Sequence, residues 1–267
     1  KDERAAQRLV GGKFPDQLQL PFALWTRVAI RELIRVRFGV KLSVRGVGEY
    51  LARWGYTPQK PLQKAYEQNP HAVHRWHEEE FPAIKVRAKA EGASVLWGDE
   101  TGLRSDDVRG RSFAPKGVTP AIRVNQRRHG CSVISVVSNK GEMRWMVFHG
   151  ALNSQVLIKF LKRLIKGATN KIFLVLDNLR VHHSKPVKQW LQENEQAIEC
   201  FFLPSYSPDL NPVELANASL KQAVTTHAPA RKKGQMEKVA SAHLRLLQRT
   251  PELVLGFFKK DTTRYAA

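Results

Sequence analysis

The pattern of apolar and polar positions divides the chain in two. From residue 94 onward, short apolar runs alternate with amphipathic stretches; ahead of it the periodicity is helical. Residues 94–98, 171–176 and 198–203 are apolar enough to form strands, the latter two buried on both faces. Residues 131–137 and 143–148 predict two further strands, with Asn139-Lys140-Gly141 between them as a hairpin signal. Leu157, Phe160, Leu161, Leu164 and Ile165 mark one face of a helix that Asn153 caps and Gly167 stops. Further helices follow from Ser184, from Pro212 and over residues 235–248. The order is three meandering strands, then helix, strand, helix, strand, helix. That order predicts an α/β domain, a mixed sheet flanked by helices.

The N-terminal third reads differently. Residues 1–20 are polar and charged, broken at Gly11-Gly12, and predict an arm or linker. Residues 22–38 predict a helix with Ile30, Leu33 and Ile34 on one face, ended by Gly39. Ser43 caps a second helix that turns Val44, Val47, Leu51 and Trp54 inward and Arg45, Glu49 and Arg53 outward. Spacing alone fits a helix-turn-helix and an ordinary helical hairpin equally well. Residues 57–61 would be a wing or an exit from it. The expected domains are therefore an arm at 1–20, a small all-α helix-turn-helix (winged-helix-like) domain at 21–61, a linker helix at 62–92 and a catalytic domain at 93–267. In the linker helix, Trp76, Phe81, Ile84 and Val86 are scattered among charges.

Charge favours the helix-turn-helix. Lys and Arg number 44 against 24 acids, a net charge of +20, which suits a partner rich in phosphate. Candidate DNA contacts are Arg45 and Arg53 on the second helix and Lys60 just after it. Arg104, Arg109 and Arg111, in a basic stretch broken by Gly and Pro, complete the set. No apolar run approaches the roughly 20 residues a membrane span needs. No signal peptide opens the chain, which starts at Lys1 rather than Met, as after trimming. Cys131 and Cys200 lie in apolar runs and read as buried thiols of a reducing cytoplasm. The absence of CxxC and HxxxH spacings argues against structural zinc.

Three acids stand at the ends of elements: Asp99 after the first strand, Asp177 after the fourth, and Glu214 at a late helix start. In open α/β sheets such strand ends are where ligands bind. Each has an ordinary alternative. Asp177-Asn178 can be a turn, and Asn211-Pro212-Val213-Glu214 also reads as a capping box with Pro at the first helical position. Together they suit hard divalent cations. Two such ions about 3.5–4 Å apart, bridged by carboxylates, stabilise the attacking and leaving oxygens of an in-line phosphoryl displacement. Magnesium prefers such oxygen donors, and manganese can substitute. Glu100 competes with Asp99, although strand alternation sends the two to opposite faces.

These residues resemble a known family. Asp99-Glu100-Thr101-Gly102, Asp177-Asn178 with His182, and Ser207-Pro208-Asp209-Leu210-Asn211-Pro212-Val213-Glu214 are similar to motifs of bacterial insertion-sequence DDE transposases of the mariner superfamily. The last motif is long and specific; the first is weak alone. The resemblance runs from about Thr26 to residue 250. It implies a ribonuclease-H-like fold, magnesium-dependent cleavage and strand transfer, and insertion at TA dinucleotides. It also implies double-stranded DNA partners (terminal inverted repeats and target), a homodimer on DNA and a nucleoid-associated place in the bacterial cytoplasm. Asp99, Asp177 and Glu214 match the metal-binding catalytic triad, with Asn178 and His182 near it. His182 reads either as orienting a group at the site or as a helix-entry hydrogen bond. Two departures stand out. Members usually carry an aromatic residue shortly after the final Glu, where this chain has Leu215-Ala216-Asn217-Ala218. They also usually carry a further N-terminal DNA-binding helical unit. The competing functions are a ribonuclease-H-like nuclease or resolvase without strand transfer, and a catalytically dead DNA-binding regulator.

Overall fold

A computed structural model describes residues 2–59, 65–107, 112–117, 119–123, 129–228, 230, 232 and 234–267. The chain forms two compact units, Lys1–Gln63 and Lys64–Ala267.

In the first unit, α1 (Asp2–Gly12), α2 (Arg27–Phe38) and α3 (Val44–Arg53) pack around Ile30, Leu33, Ile34 and Val47. The first twenty residues are thus no free arm. Ala6 is buried, and Leu18 and Leu20 close on Leu33, apolar contacts too sparse to show as a periodic stripe. α2 starts later than its apolar pattern, because Thr26 accepts a hydrogen bond from the Ala29 amide and caps it. Ser43 caps α3 through the Gly46 amide, as its sequence predicts. Among the described residues no strand forms a wing in this unit.

The second unit opens with α4 (Pro70–Arg75), a π-helical turn at Trp76–Glu80 and α5 (Phe81–Ala90). This is not a linker. Trp76, Phe81, Ile84 and Ala88 are buried in one core with Trp97, while Val86 is 70% exposed. The π turn shifts the helical period there, which is why the apolar residues look scattered.

Five strands then make one sheet in the order β3-β2-β1-β4-β5. β1 (Ser94–Arg104), β2 (Gly130–Ser138) and β3 (Met143–Phe148) are antiparallel neighbours. α6 (Ser154–Lys166) leads to β4 (Ile172–Leu176), which runs parallel to β1, and α7 (Lys185–Glu193) leads to β5 (Ile198–Phe202), parallel to β4. α8 (Val213–Thr226), α9 (Gln235–Arg249) and α10 (Pro251–Gly256) close the chain. This is the ribonuclease-H-like mixed sheet.

Each face has its own core. Phe173 and Val175 of β4 meet α5, α8 and α9, whereas Ile172, Leu174 and Leu176 meet α6 and α7. Both faces of β4 are therefore dry, so its sequence is an unbroken apolar run. No helix among the described residues is long and apolar enough to cross a membrane.

Candidate active site

β1 is longer than its apolar run. It pairs with β4 only as far as Trp97↔Val175, then continues beside β2 through Asp99↔Ser135 to Arg104↔Gly130. Asp99 therefore sits mid-strand, just where β4 stops and leaves room beside it. β4 ends at Leu176, and Asp177 is the next residue. Gly98 is required at this junction: a Cβ there would lie 2.7 Å from Leu176 Cδ2.

Three asparagine amides fix the frame. Asn211, 3% exposed, donates to the Gly98 carbonyl at 3.0 Å, and its Oδ1 accepts from the Val213 amide at 3.1 Å. One side chain thus ties the residue before Asp99 to the start of α8, which carries Glu214. Asn178 donates to the Leu203 carbonyl at 2.6 Å, joining the ends of β4 and β5. Asn217, 2% exposed, donates to Asp99 Oδ2 at 2.7 Å. Asn217 lies one helical turn past Glu214, at the stretch where the resemblance calls for an aromatic. Its i+3 spacing from Glu214 was the available signal that the two share a face.

The capping box is half formed. Asn211 caps the helix, but its own amide donates to the Pro208 carbonyl rather than to the Glu214 carboxylate. Glu214 faces a cavity instead.

That cavity, of about 790 Å³, is lined by Asp99, Glu100, Asp177, Asn178 and Glu214, with Leu179, Arg180 and the loop at 203–208 around its mouth. The carboxylates feel one another across it. Burial, then the charges of Glu214, Glu100 and Asp177, push Asp99 up to about 8. Burial raises Glu214 as well, with Asp177 adding and Lys221 opposing. Burial and then Asp177 raise Glu100, against the pull of His182. Strand alternation thus does not take Glu100 out of the cavity; its Oε2 is buried without a hydrogen-bond partner.

His182, 2% exposed, points Nδ1 at the Asp177 carbonyl at 3.0 Å and at Asp177 Oδ1 at 3.2 Å. A carbonyl only accepts, so Nδ1 carries the proton. Burial opposes the charged ring, yet the hydrogen bonds and charge of Asp177, with Glu100 behind, raise its pKa. His182 thereby orients Asp177, and its Nε2 is buried with no partner.

All-oxygen donors with a mutually repelling charge cluster suit a hard divalent cation. Among the described residues, however, no three His, Cys, Asp or Glu side chains are gathered closely enough to hold an ion as they stand. The acids surround a space rather than a point.

The DNA-contact candidates divide. Arg45 is 93% exposed, with Glu49 at 3.7 Å. Arg53 is instead occupied: it pairs with Glu3 of α1 at 3.2 Å and lies over the Tyr50 ring at 4.3 Å. Arg104 pairs with Asp106 at 2.9 Å. Lys60, Arg109 and Arg111 lie outside the described residues.

A ribonuclease-H-like sheet with carboxylates around one cavity, behind a small helical unit, defines a class of metal-dependent nucleic-acid-cutting enzymes. The chain belongs to the DDE superfamily endonucleases, whose family matches residues 94–237, and residues 21–80 match the winged helix-turn-helix family. No curated protein matches it in sequence. Among solved structures it is similar to the Mos1 strand transfer complex, at 18% identity and a TM-score of 0.63, over 98% of this chain and 75% of that one. The Mos1 mariner paired end complex with Mn gives the same identity and TM-score, over 98% and 76%. The Mos1 paired-end complex with left transposon end gives 16% and 0.59, over 99% and 80%. Identities this low speak for a shared fold.

Proposed function

We propose that this chain is a cut-and-paste DNA transposase. Its helix-turn-helix binds double-stranded DNA at the inverted repeats of a mobile element. Its acid cluster cuts the strands there and joins the freed 3′ hydroxyl to a TA step in target DNA. The observation that carries the reading is the meeting of Asp99, Asp177 and Glu214 at one cavity in a chain of the DDE family. Complexes named for paired ends share its fold, which supports a homodimer acting on two ends.

Asp99, Asp177 and Glu214 would hold magnesium or manganese. When bound, such ions supply the charge that stabilises the attacking and leaving oxygens of an in-line displacement at phosphorus. The chain does the positioning. Asn211 fixes β1 against α8, Asn178 fixes β4 against β5, and the His182 Nδ1–H holds Asp177. Asn217 occupies Oδ2 of Asp99 and leaves its other oxygen free.

The test is an incubation of the protein with a plasmid target, magnesium or manganese, and duplexes carrying the inverted repeats that flank its gene. Joined molecules are expected, and none from Glu214→Gln. Cleavage without joining would make the protein a nuclease or resolvase. DNA binding with neither reaction would make it a regulator.

A further inference from the structure

The cavity is larger than a pair of ions and a phosphate require, and part of its wall is apolar. Of the large apolar side chains exposed in the second unit, two line it: Tyr206, 60% exposed, and Leu179, 37% exposed. They stand on the two loops that follow β4 and β5. These are the loops that begin at Asp177 and lead to Glu214. Arg180 is the basic side chain among the described lining residues.

Tyr206 is held there at a cost. Its φ of 58° is left-handed, a region a bulky side chain enters rarely and only when its surroundings impose it. The imposing contacts are visible. The Gln68 side-chain amide reaches the Tyr206 carbonyl at 3.4 Å, Ser207 Oγ at 3.1 Å and Asp209 Oδ1 at 3.1 Å. Ser207, 3% exposed, donates back to the Ser205 carbonyl at 3.3 Å. A pinned, strained turn thus presents an aromatic ring to solvent instead of burying it.

Resting on the DNA-cutting reading, we infer that Tyr206 and Leu179 form a nucleobase subsite. It takes the base of the nucleotide beside the scissile phosphate, unstacked from the duplex and laid on the Tyr206 ring. A base inside a duplex has both faces covered, so the ring can be reached only by one that leaves the stack. Aromatic stacking on a single base tolerates any sequence and offsets the loss of pairing. The phosphate of that nucleotide lies toward the acids, and Arg180 at the mouth matches the charge of the next phosphate along the strand.

The test crosses the protein with its substrate. The nick that wild-type protein makes in a synthetic duplex with manganese is mapped first. The duplex is then remade with an abasic site at each nucleotide flanking the nick. On the intact duplex, Tyr206→Ala should lower kcat/KM on the order of ten- to a hundredfold, the usual worth of one stacked base. Tyr206→Phe, which keeps the ring, should recover most of the loss. On one abasic duplex, wild type and Tyr206→Ala should cut equally, because the base that the ring holds is gone. A loss from Tyr206→Ala that is the same on every abasic duplex as on the intact one overturns the subsite. So does a Tyr206→Phe protein as impaired as Tyr206→Ala. Nicking by Glu214→Gln equal to wild type, or none by wild type, counts instead against the DNA-cutting reading and removes the subsite with it.

Discussion

The Asn217 side-chain amide donates to Oδ2 of Asp99 at 2.7 Å, across the gap between α8 and β1. Both groups are largely buried, so neither finds water in exchange. Asp99 is the acid that burial and its neighbours most oppose ionising, and Asn217 is a donor aimed at its charged form. The amide therefore helps a cation to win the carboxylate from its proton.

Removing that donor should weaken metal use more than fold. A hydrogen bond to a charged group is worth about 1.5–3 kcal/mol, or roughly ten- to a hundredfold. Asn217→Ala should raise the magnesium concentration for half-maximal nicking by about that factor, while far-UV circular dichroism stays unchanged. Asn217→Asp should do worse, since it sets a further carboxylate against Asp99. A magnesium titration of the nicking rate decides, and an unshifted midpoint removes Asn217 from the site.

How far the sequence reveals this arrangement depends on what each residue packs against. β4 and α6 are legible because one is dry on both faces and the other has a clean stripe and an Asn153 cap. The far half of β1 is not. Residues 99–104 pair only with β2, and the cavity stands where β4 would be, so they carry polar residues that read as a loop. The acids were legible through a motif. The amides that hold them were only partly so, because a hydrogen bond such as Asn217 to Asp99 joins positions far apart in the chain. Likewise Arg53 looks outward on a helical wheel, but nothing in α3 discloses that Glu3 will meet it.

That difference gives a prediction for DNA affinity. Arg45 is exposed and only loosely paired, whereas Arg53 is held by Glu3 and Tyr50. Arg45→Ala should weaken duplex binding and lower the slope of log affinity against log salt by about 0.9, because one phosphate fewer is neutralised. Arg53→Ala should lower the melting temperature of the protein more than it changes that slope. Fluorescence anisotropy over a salt series, beside thermal melts, separates the two. Equal slopes for Arg45→Ala and wild type would take Arg45 out of the interface.

The pH dependence of metal-free stability follows from Asp99. In the folded protein it keeps its proton to about pH 8, while in the unfolded chain it loses it near pH 4. Between those values the folded state binds the extra proton, so stability falls as pH rises. With chelator present, wild type should melt at a lower temperature at pH 8 than at pH 5. Asp99→Asn should show a smaller decline and should be the more stable of the two at pH 8. Parallel profiles for the two proteins would contradict the strain assigned to Asp99.

Glu214 decides between the metal site and the helix cap. Its side chain makes no return contact to the Asn211 amide, which donates to Pro208 instead. Capping therefore rests on Asn211, and Glu214→Gln should leave α8 and the metal-free melting temperature intact or slightly raised, because burial and Asp177 disfavour the charge it removes. Magnesium should stabilise the wild type through linkage, by about 2.7 kcal/mol at a hundredfold excess over its dissociation constant. The same magnesium should do little for Glu214→Gln or Asp177→Asn, and neither should cut DNA. The acids surround a space rather than a point, so the ion must draw them inward, and magnesium should also slow amide exchange at 177–179 and 212–215 in the wild type. Melts and hydrogen exchange with and without magnesium read all of this without a substrate. A Glu214→Gln protein that magnesium stabilises like wild type, and that still nicks DNA, would move the ion off Glu214.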